Sequence, residues 1–134
     1  MKILLDTNVI VSAFATRGLC SALFEVCIED HELIISNSII AEIKKVLEKK
    51  LKAPKSTINE VEYYINNYFI KVTDSDNISI CRDKDDNKII SVAANNEVSF
   101  LVSGDDDLLV LKEYRGVKIV TPRQFWEVLR DQRG

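Results

Sequence analysis

The sequence predicts an α/β domain with a mostly parallel, five-stranded central sheet covered by helices on both faces, and three observations carry that reading. Short apolar runs alternate with segments of helical spacing along the chain, the order that α/β layering produces. Several runs, such as Phe100-Leu101-Val102, are continuous instead of alternating, as strands covered on both faces require. The length of 134 residues, 46% of them hydrophobic, suits one core, so residues 1–134 are read as a single domain.

The elements follow in order. Residues 2–5 are an apolar run closed by Asp6, and 9–15 and 21–30 carry helical spacing. The run at 32–36 is the second strand, and 38–52 the third helix, where Ile39, Ile40, Ile43, Val46, Leu47 and Leu51 make an apolar stripe. Glu42, Lys45, Lys49 and Lys52 fall on another side, with Glu42 near the stripe's edge. Pro54 breaks that helix, and Ser56 or Thr57 is expected to cap a new one over 56–68. Strands at 70–73, 99–103 and 117–120 and helices at 87–96, 106–113 and 123–130 complete the alternation. No repeat, low-complexity tract or linker-like shift in composition interrupts it.

Composition excludes several classes of function. With 29% charged residues, 4 Gly and 2 Pro, the chain is neither collagenous nor disordered. Its longest charge-free stretch, residues 7–16, is far short of the ~20 residues of a membrane-spanning helix. Asp6, Thr7 and Asn8 also interrupt the first apolar run where a signal peptide would continue, so a cytoplasmic protein is expected. Cys20, Cys27 and Cys81 form no CxxC pair and are an odd number, which argues against both a disulfide scaffold and zinc. Eighteen basic residues against 21 acidic leave a formal charge of −3, so any nucleic-acid partner needs a local basic patch or bound cations.

Ligands of doubly wound sheets sit beyond the carboxyl ends of the strands, and that is where this chain concentrates acid. The first strand ends in Asp6-Thr7-Asn8 and the fourth in Ser103-Gly104-Asp105-Asp106-Asp107, while Asp83-Lys84-Asp85-Asp86 precedes the helix that leads back to the fourth strand. Carboxylates gathered at one edge repel, and a shared divalent cation with a preference for oxygen, Mg²⁺ or Mn²⁺, relieves the repulsion. Each residue has a plainer reading. Asp6 can cap the helix at 9–15, Asp85 or Asp86 the helix at 87–96, and one of Asp105, Asp106 and Asp107 the helix that follows them. Glu42 alone reads as a surface residue, and the lysines as a solvated face.

The combination narrows the choice. Ile3-Leu4-Leu5-Asp6-Thr7-Asn8-Val9-Ile10, Ser38-Ile39-Ile40-Ala41-Glu42-Ile43, Arg82-Asp83-Lys84-Asp85-Asp86-Asn87-Lys88-Ile89-Ile90 and Leu101-Val102-Ser103-Gly104-Asp105-Asp106-Asp107-Leu108-Leu109 occur in this order. In these residues the chain resembles the PIN-domain nucleases, in particular the toxin components of toxin–antitoxin pairs called VapC-like. The resemblance spans essentially the whole chain and implies a PIN-like fold. It departs from that branch at Lys84, where Pro is common.

The resemblance implies an acidic quartet of Asp6, Glu42, Asp86 and Asp105, with Asp6, Asp86 and Asp105 as metal ligands. Thr7, Asn8, Asp83, Ser103 and Asp107 would support them. It further implies Mg²⁺- or Mn²⁺-dependent hydrolysis of RNA, a cognate antitoxin and a homodimer. Residues 44–55 hold six lysines and one glutamate, from which Lys45, Lys49 and Lys52 are taken as RNA-binding candidates. A haloacid-dehalogenase phosphatase would need an aspartate where Asn8 stands, and a receiver domain would need an acidic pair at the first strand and a phospho-accepting aspartate at the third. The remaining rival is a catalytically silent PIN domain that binds RNA or acts as a scaffold.

Overall fold

Ile3, Leu4 and Leu5 are essentially inaccessible to solvent, and the strand they form, β1 (Lys2–Leu5), lies inside the sheet for that reason. The computed structural model describes residues 1–75 and 77–133. β1 pairs in parallel with β2 (Glu32–Ser36) on one side and β4 (Phe100–Val102) on the other. With β3 (Phe69–Val72), β5 (Glu113–Tyr114) and β6 (Val117–Val120) the sheet runs β3-β2-β1-β4-β6-β5. Every pair is parallel except β5 with β6. Helices α1 (Thr7–Ala15), α2 (Leu19–Asp30), α3 (Asn37–Lys45), α4 (Lys55–Tyr68), α5 (Lys84–Asn95), α6 (Asp106–Leu109) and α7 (Pro122–Arg133) flank it.

Five of the strands lie where the sequence places them, to within a residue or two, and the sheet has a sixth. β5 occupies the end of the segment expected to be helical at 106–113, because α6 stops at Leu109 and the chain turns back as a hairpin. Arg115 and Gly116 both take positive φ, 50° and 85°, as a two-residue type I′ turn requires. Tyr114 thereby faces Val117 across the antiparallel pair.

Most helix starts also lie one to three residues earlier than expected, and three of them show the reason in their caps. α5 begins at Lys84, three residues before expectation, since Asp83 and not Asp85 or Asp86 caps it by accepting the Asp85 N–H at 2.8 Å. The expected cap of α4 by Ser56 or Thr57 does not form: the helix starts at Lys55, which places both inside its first turn, and the Pro54 carbonyl accepts from Thr57 and Ile58 instead. α7 opens earlier, with a reciprocal box in which Thr121 and Gln124 each accept the other's N–H, and with Pro122 at the first helical position.

α3 runs on into one π-helical turn, Val46–Lys50. The wider turn breaks the 3.6-residue period, so Leu51, expected on the apolar stripe, is 50% exposed while Ile39, Ile43 and Leu47 stay buried. On one flank of the core, Phe14, Phe24, Tyr64 and Phe69 stack through ring contacts of 4.9–5.9 Å. On another, Phe125 of α7 packs on Phe100 of β4 at 5.3 Å. Cys20, Cys27 and Cys81 are all unpaired. No single helix among the described residues is long and apolar enough to cross a membrane.

The strand order has one consequence for chemistry. The chain passes from β1 to β2 and β3 on one side, then crosses to β4 on the other, so the direction of winding reverses between β1 and β4. A crevice opens beyond the carboxyl ends of strands at such a point. Register fixes what stands there: Leu5 is opposite Val102, and the next N–H, that of Asp6, donates to the Val102 carbonyl at 3.1 Å. Asp6 and Ser103 are thus held side by side.

Candidate functional site

Asp6 is both a cap and part of a polar cluster. Its Oδ1 accepts the Val9 N–H at 3.0 Å, which starts α1, and its Oδ2 accepts a hydrogen bond from the Ser103 hydroxyl. Ser103 is fully buried, and its Oγ in turn accepts the Asp105 N–H at 3.0 Å. One hydroxyl thereby ties the ends of β1 and β4 together. Asp105 continues the pattern by capping α6, accepting from the Asp107 N–H at 2.9 Å. Capping and ligation do not compete here, because each carboxylate oxygen has a second lone pair to offer.

Around this seam lies a cleft of about 230 Å³. Asp6, Thr7 and Asn8 line it from the start of α1, Ser36, Ser38 and Glu42 from β2 and α3, Asp83, Asp85 and Asp86 from the start of α5, and Asp105 from the end of β4. All four acids of the expected quartet therefore face one space. Ser103 lies beneath it and is not part of its wall, and Lys45, Lys49 and Lys52 do not line it either. Carboxylate oxygens of Asp86, Asp105 and Asp107 lie within 4.8 Å of one another. Asp107, expected only in support, joins that trio, whereas the oxygens of Asp6 are turned to Val9 and Ser103.

Crowding of acids in a partly dry cleft has the effect that electrostatics predicts. Burial raises the pKa of Asp6 above the ordinary aspartate value, against the lowering influence of its bonds to Ser103 and Val9 and with added repulsion from Asp105. The Asp86 carboxyl is pushed up to about 6, first by burial, then by the charge of Asp105, the charge of Asp83, a carboxyl–carboxyl hydrogen bond with Asp105, and the charge of Asp107. Mutually repelling oxygen donors of this kind, with Asp86 buried and Asp105 and Asp107 exposed beside it, are a donor set that a hard divalent cation satisfies. Asp86, Asp105 and Asp107 would hold it directly, with Asp6 across the seam. Cys81, beside the same acids, has its thiol raised by burial and by the charges of Asp86, Asp107, Asp105 and Asp83, so it is not an activated nucleophile.

Three residues that line or brace the site have no functional role legible in the sequence. Ser36 ends β2 and caps α3 by accepting from the Ile39 N–H at 3.4 Å. Asp74, just past β3, accepts the Ser38 N–H at 3.1 Å and so pins the start of the helix that carries Glu42. Asn87, 8% exposed, binds the chain ahead of α5, its Oδ1 accepting from Ile80 and Cys81 and its Nδ2 donating to the Cys81 carbonyl. Only Ser36, a serine at a strand end before a helix, carried a local cap signal.

The seam can be tested by stability alone. Ser103→Ala removes a hydrogen bond to a carboxylate and leaves the Asp105 N–H without its acceptor. We expect destabilisation by about 2 kcal/mol in urea unfolding, the usual worth of a bond to a charged group. A variant as stable as the parent would mean that Ser103 does not join the two strand ends.

Comparison with known proteins agrees with this architecture. A family model described as PIN domain matches residues 2–107. An uncharacterized protein of Methanocaldococcus jannaschii is 28% identical, over 95% of this chain and 90% of its own length. Among solved structures, VapBC2 from Rickettsia felis, bound to a DNA fragment from its promoter, superposes with a TM-score of 0.65 at 16% identity, covering 90% of this chain and 98% of the other. Mycobacterium tuberculosis VapC20, described as a sarcin-ricin loop cleaving toxin, gives 0.60 at 10% identity, with 84% and 97% covered. At such identities the two structures speak for the fold. The family match covers most of the chain and includes every carboxylate of the cleft: the chain belongs to the PIN domain family.

Proposed function

We propose that the protein is a Mg²⁺- or Mn²⁺-dependent endoribonuclease and the toxin of a toxin–antitoxin pair, acting in the cytoplasm. The observation that carries this reading is the meeting of Asp6, Glu42, Asp86 and Asp105 in one cleft at the point where the winding of the sheet reverses. The likeness to VapBC2 and VapC20 supports an antitoxin partner and an RNA substrate.

Asp86 and Asp105, with Asp6 and Asp107, would hold the cation, which when bound would neutralise charge on the phosphate and ease deprotonation of an attacking water. Glu42, which lines the cleft from α3, orients that water and takes its proton. The water oxygen bonds to phosphorus as the P–O3′ bond breaks, and the departing 3′ oxygen is protonated from solvent. The products are a 5′-phosphate and a 3′-hydroxyl. Ser103 keeps Asp6 aimed, Asp83 caps the helix that carries Asp86, and Thr7 and Asn8 line the cleft beside Asp6. Residues 1–134 act as one domain, and the working unit is a homodimer.

The experiment is cleavage of a labelled RNA with Mn²⁺ and with chelator, together with growth on expression. Metal-dependent fragments ending in 3′-hydroxyls, and growth arrest relieved by the product of the neighbouring gene, support the reading. RNA binding without cleavage would favour the silent scaffold.

Lys45, Lys49 and Lys52 lie beyond the cleft, toward the far end of α3 and its π-helical turn, and we assign them to binding the RNA on its way in. Lys44 differs from them in pairing with Glu62 at 3.5 Å. Replacing Lys45, Lys49 and Lys52 together with Gln should flatten the dependence of RNA affinity on salt, by ~0.7 in log–log slope for each phosphate that a lysine no longer neutralises. The metal-induced rise in thermal midpoint should be unchanged. An unaltered slope would make these lysines a solvated face.

A further inference from the structure

Among the described residues lining the cleft there are seven carboxylates, those of Asp6, Glu42, Asp74, Asp83, Asp85, Asp86 and Asp105, and one cation, Lys88. It stands in the second turn of α5, three residues after Asp85 and on its side of the helix, and it is half-buried. A lysine amid so much negative charge would be expected to pair with it. Among the described residues the ion pairs are instead Lys44–Glu62, Arg82–Asp107 and Arg130–Asp131, and Lys88 makes neither an ion pair nor a side-chain hydrogen bond. Its ammonium, with three donors, is left for something that enters the cleft.

From this we infer that Lys88 is a positioning residue for the nucleic-acid strand, holding a non-bridging oxygen of a backbone phosphate at the wall of the cleft. The inference rests on the nuclease reading and deepens it. A phosphate is the ligand that the nuclease reading brings to this cleft: a phosphodiester has two non-bridging oxygens, so one can accept from the ammonium while the other would remain for a cation held by Asp86, Asp105 and Asp107. Lysine serves such a contact as a point charge that needs no fixed fork geometry. The lysines of residues 45–52 stand outside the cleft and supply general attraction; Lys88 stands inside it and fixes where along the strand the scissile phosphate comes to rest.

The test compares Lys88→Gln and Lys88→Arg with the parent in two assays. The first is Mn²⁺-dependent cleavage of a labelled single-stranded RNA. We expect Lys88→Gln to lower kcat/KM by about 10–100-fold, and Lys88→Arg, which keeps the charge, to recover most of it. The second is binding of a fluorescein-labelled single-stranded RNA 12-mer in the Asp6→Asn background, where Lys88→Gln should reduce the salt slope by ~0.7, the share of one phosphate. The Mn²⁺-induced shift in thermal midpoint should be the same in parent and variants.

If Lys88 only offsets the charge of the acids, Lys88→Gln will lower the metal-free midpoint while leaving cleavage and salt slope untouched, and the inference falls. The binding assay also keeps the two readings apart. A parent that never cleaves RNA overturns the nuclease reading, yet a slope that Lys88→Gln reduces and Lys88→Arg restores still supports the phosphate contact, and an unchanged slope overturns it.

Discussion

Asp6→Asn is expected to reduce RNA cleavage by two orders of magnitude or more while leaving the metal-free protein at least as stable as its parent. A charged donor to the cation contributes several kcal/mol to the transition state, and every 1.36 kcal/mol is tenfold in rate, so about 3 kcal/mol gives roughly 100-fold. Stability should not follow, because the Asn side chain still caps α1 at Val9, and burial already disfavours the ionised form of Asp6. Asp105→Asn should lose activity alike. Asp106→Asn, on an exposed residue outside the cleft, should stay near the parent. Cleavage assays beside thermal melts check the ranking. Activity retained in Asp6→Asn and lost in Asp106→Asn would mean that the strand ends have been assigned one position out.

The second large effect is a stability that depends on pH and on metal together. Because the folded-state pKa of Asp86, about 6, exceeds the ordinary 3.8, its contribution is fully present below pH 4 and is lost as the pH rises through 6. Asp6, raised in the same direction, adds to this trend. In chelator the thermal midpoint should therefore fall between pH 4 and pH 7, and Asp86→Asn should fall less, the difference being on the order of a few degrees. Millimolar Mg²⁺ or Mn²⁺ at pH 7 should reverse the loss, since the cation binds the folded site and not the unfolded chain. The four acids of the quartet are separated by 36, 44 and 19 positions in sequence, so only folding assembles them. A metal-free midpoint flat from pH 4 to pH 7, or equally steep in Asp86→Asn, would contradict the crowding of the site.

How far the sequence could be read depended on whether a feature was local. β1, β2 and β6 are continuous or alternating apolar runs with polar ends, and their limits were legible to the residue. β5 was not: two residues long, it exists only because Arg115 and Gly116 make a tight turn, and Arg-Gly lacks the Asn-Gly or Asp-Gly signature of such hairpins. The π-helical turn after α3 was hidden as well, since Leu51 fits a helical stripe and only the broken period turns it to solvent.

The same distinction applies to the site. Asp6, Asp86 and Asp105 stand at strand ends or helix starts, positions that a pattern of elements predicts, and Glu42 was reached through the resemblance of the segment around it. Asp74 bonds to Ser38, 36 residues away, and Asn87 works by holding backbone groups six and seven residues behind it. Neither arrangement leaves a trace in spacing or composition. In the sequence Asp107 is one of three adjacent acids, and only the turn of α6 decides which of them meets Asp86.

Calorimetric titration of Mn²⁺ into the parent, Asp86→Asn, Asp105→Asn and Asp106→Asn tests most directly whether the carboxylates at the β1–β4 seam form a cation site. Saturable binding at or below millimolar metal is expected in the parent and in Asp106→Asn, and its disappearance in Asp86→Asn and Asp105→Asn. No binding by the parent, or binding that survives both of those substitutions, would contradict the site.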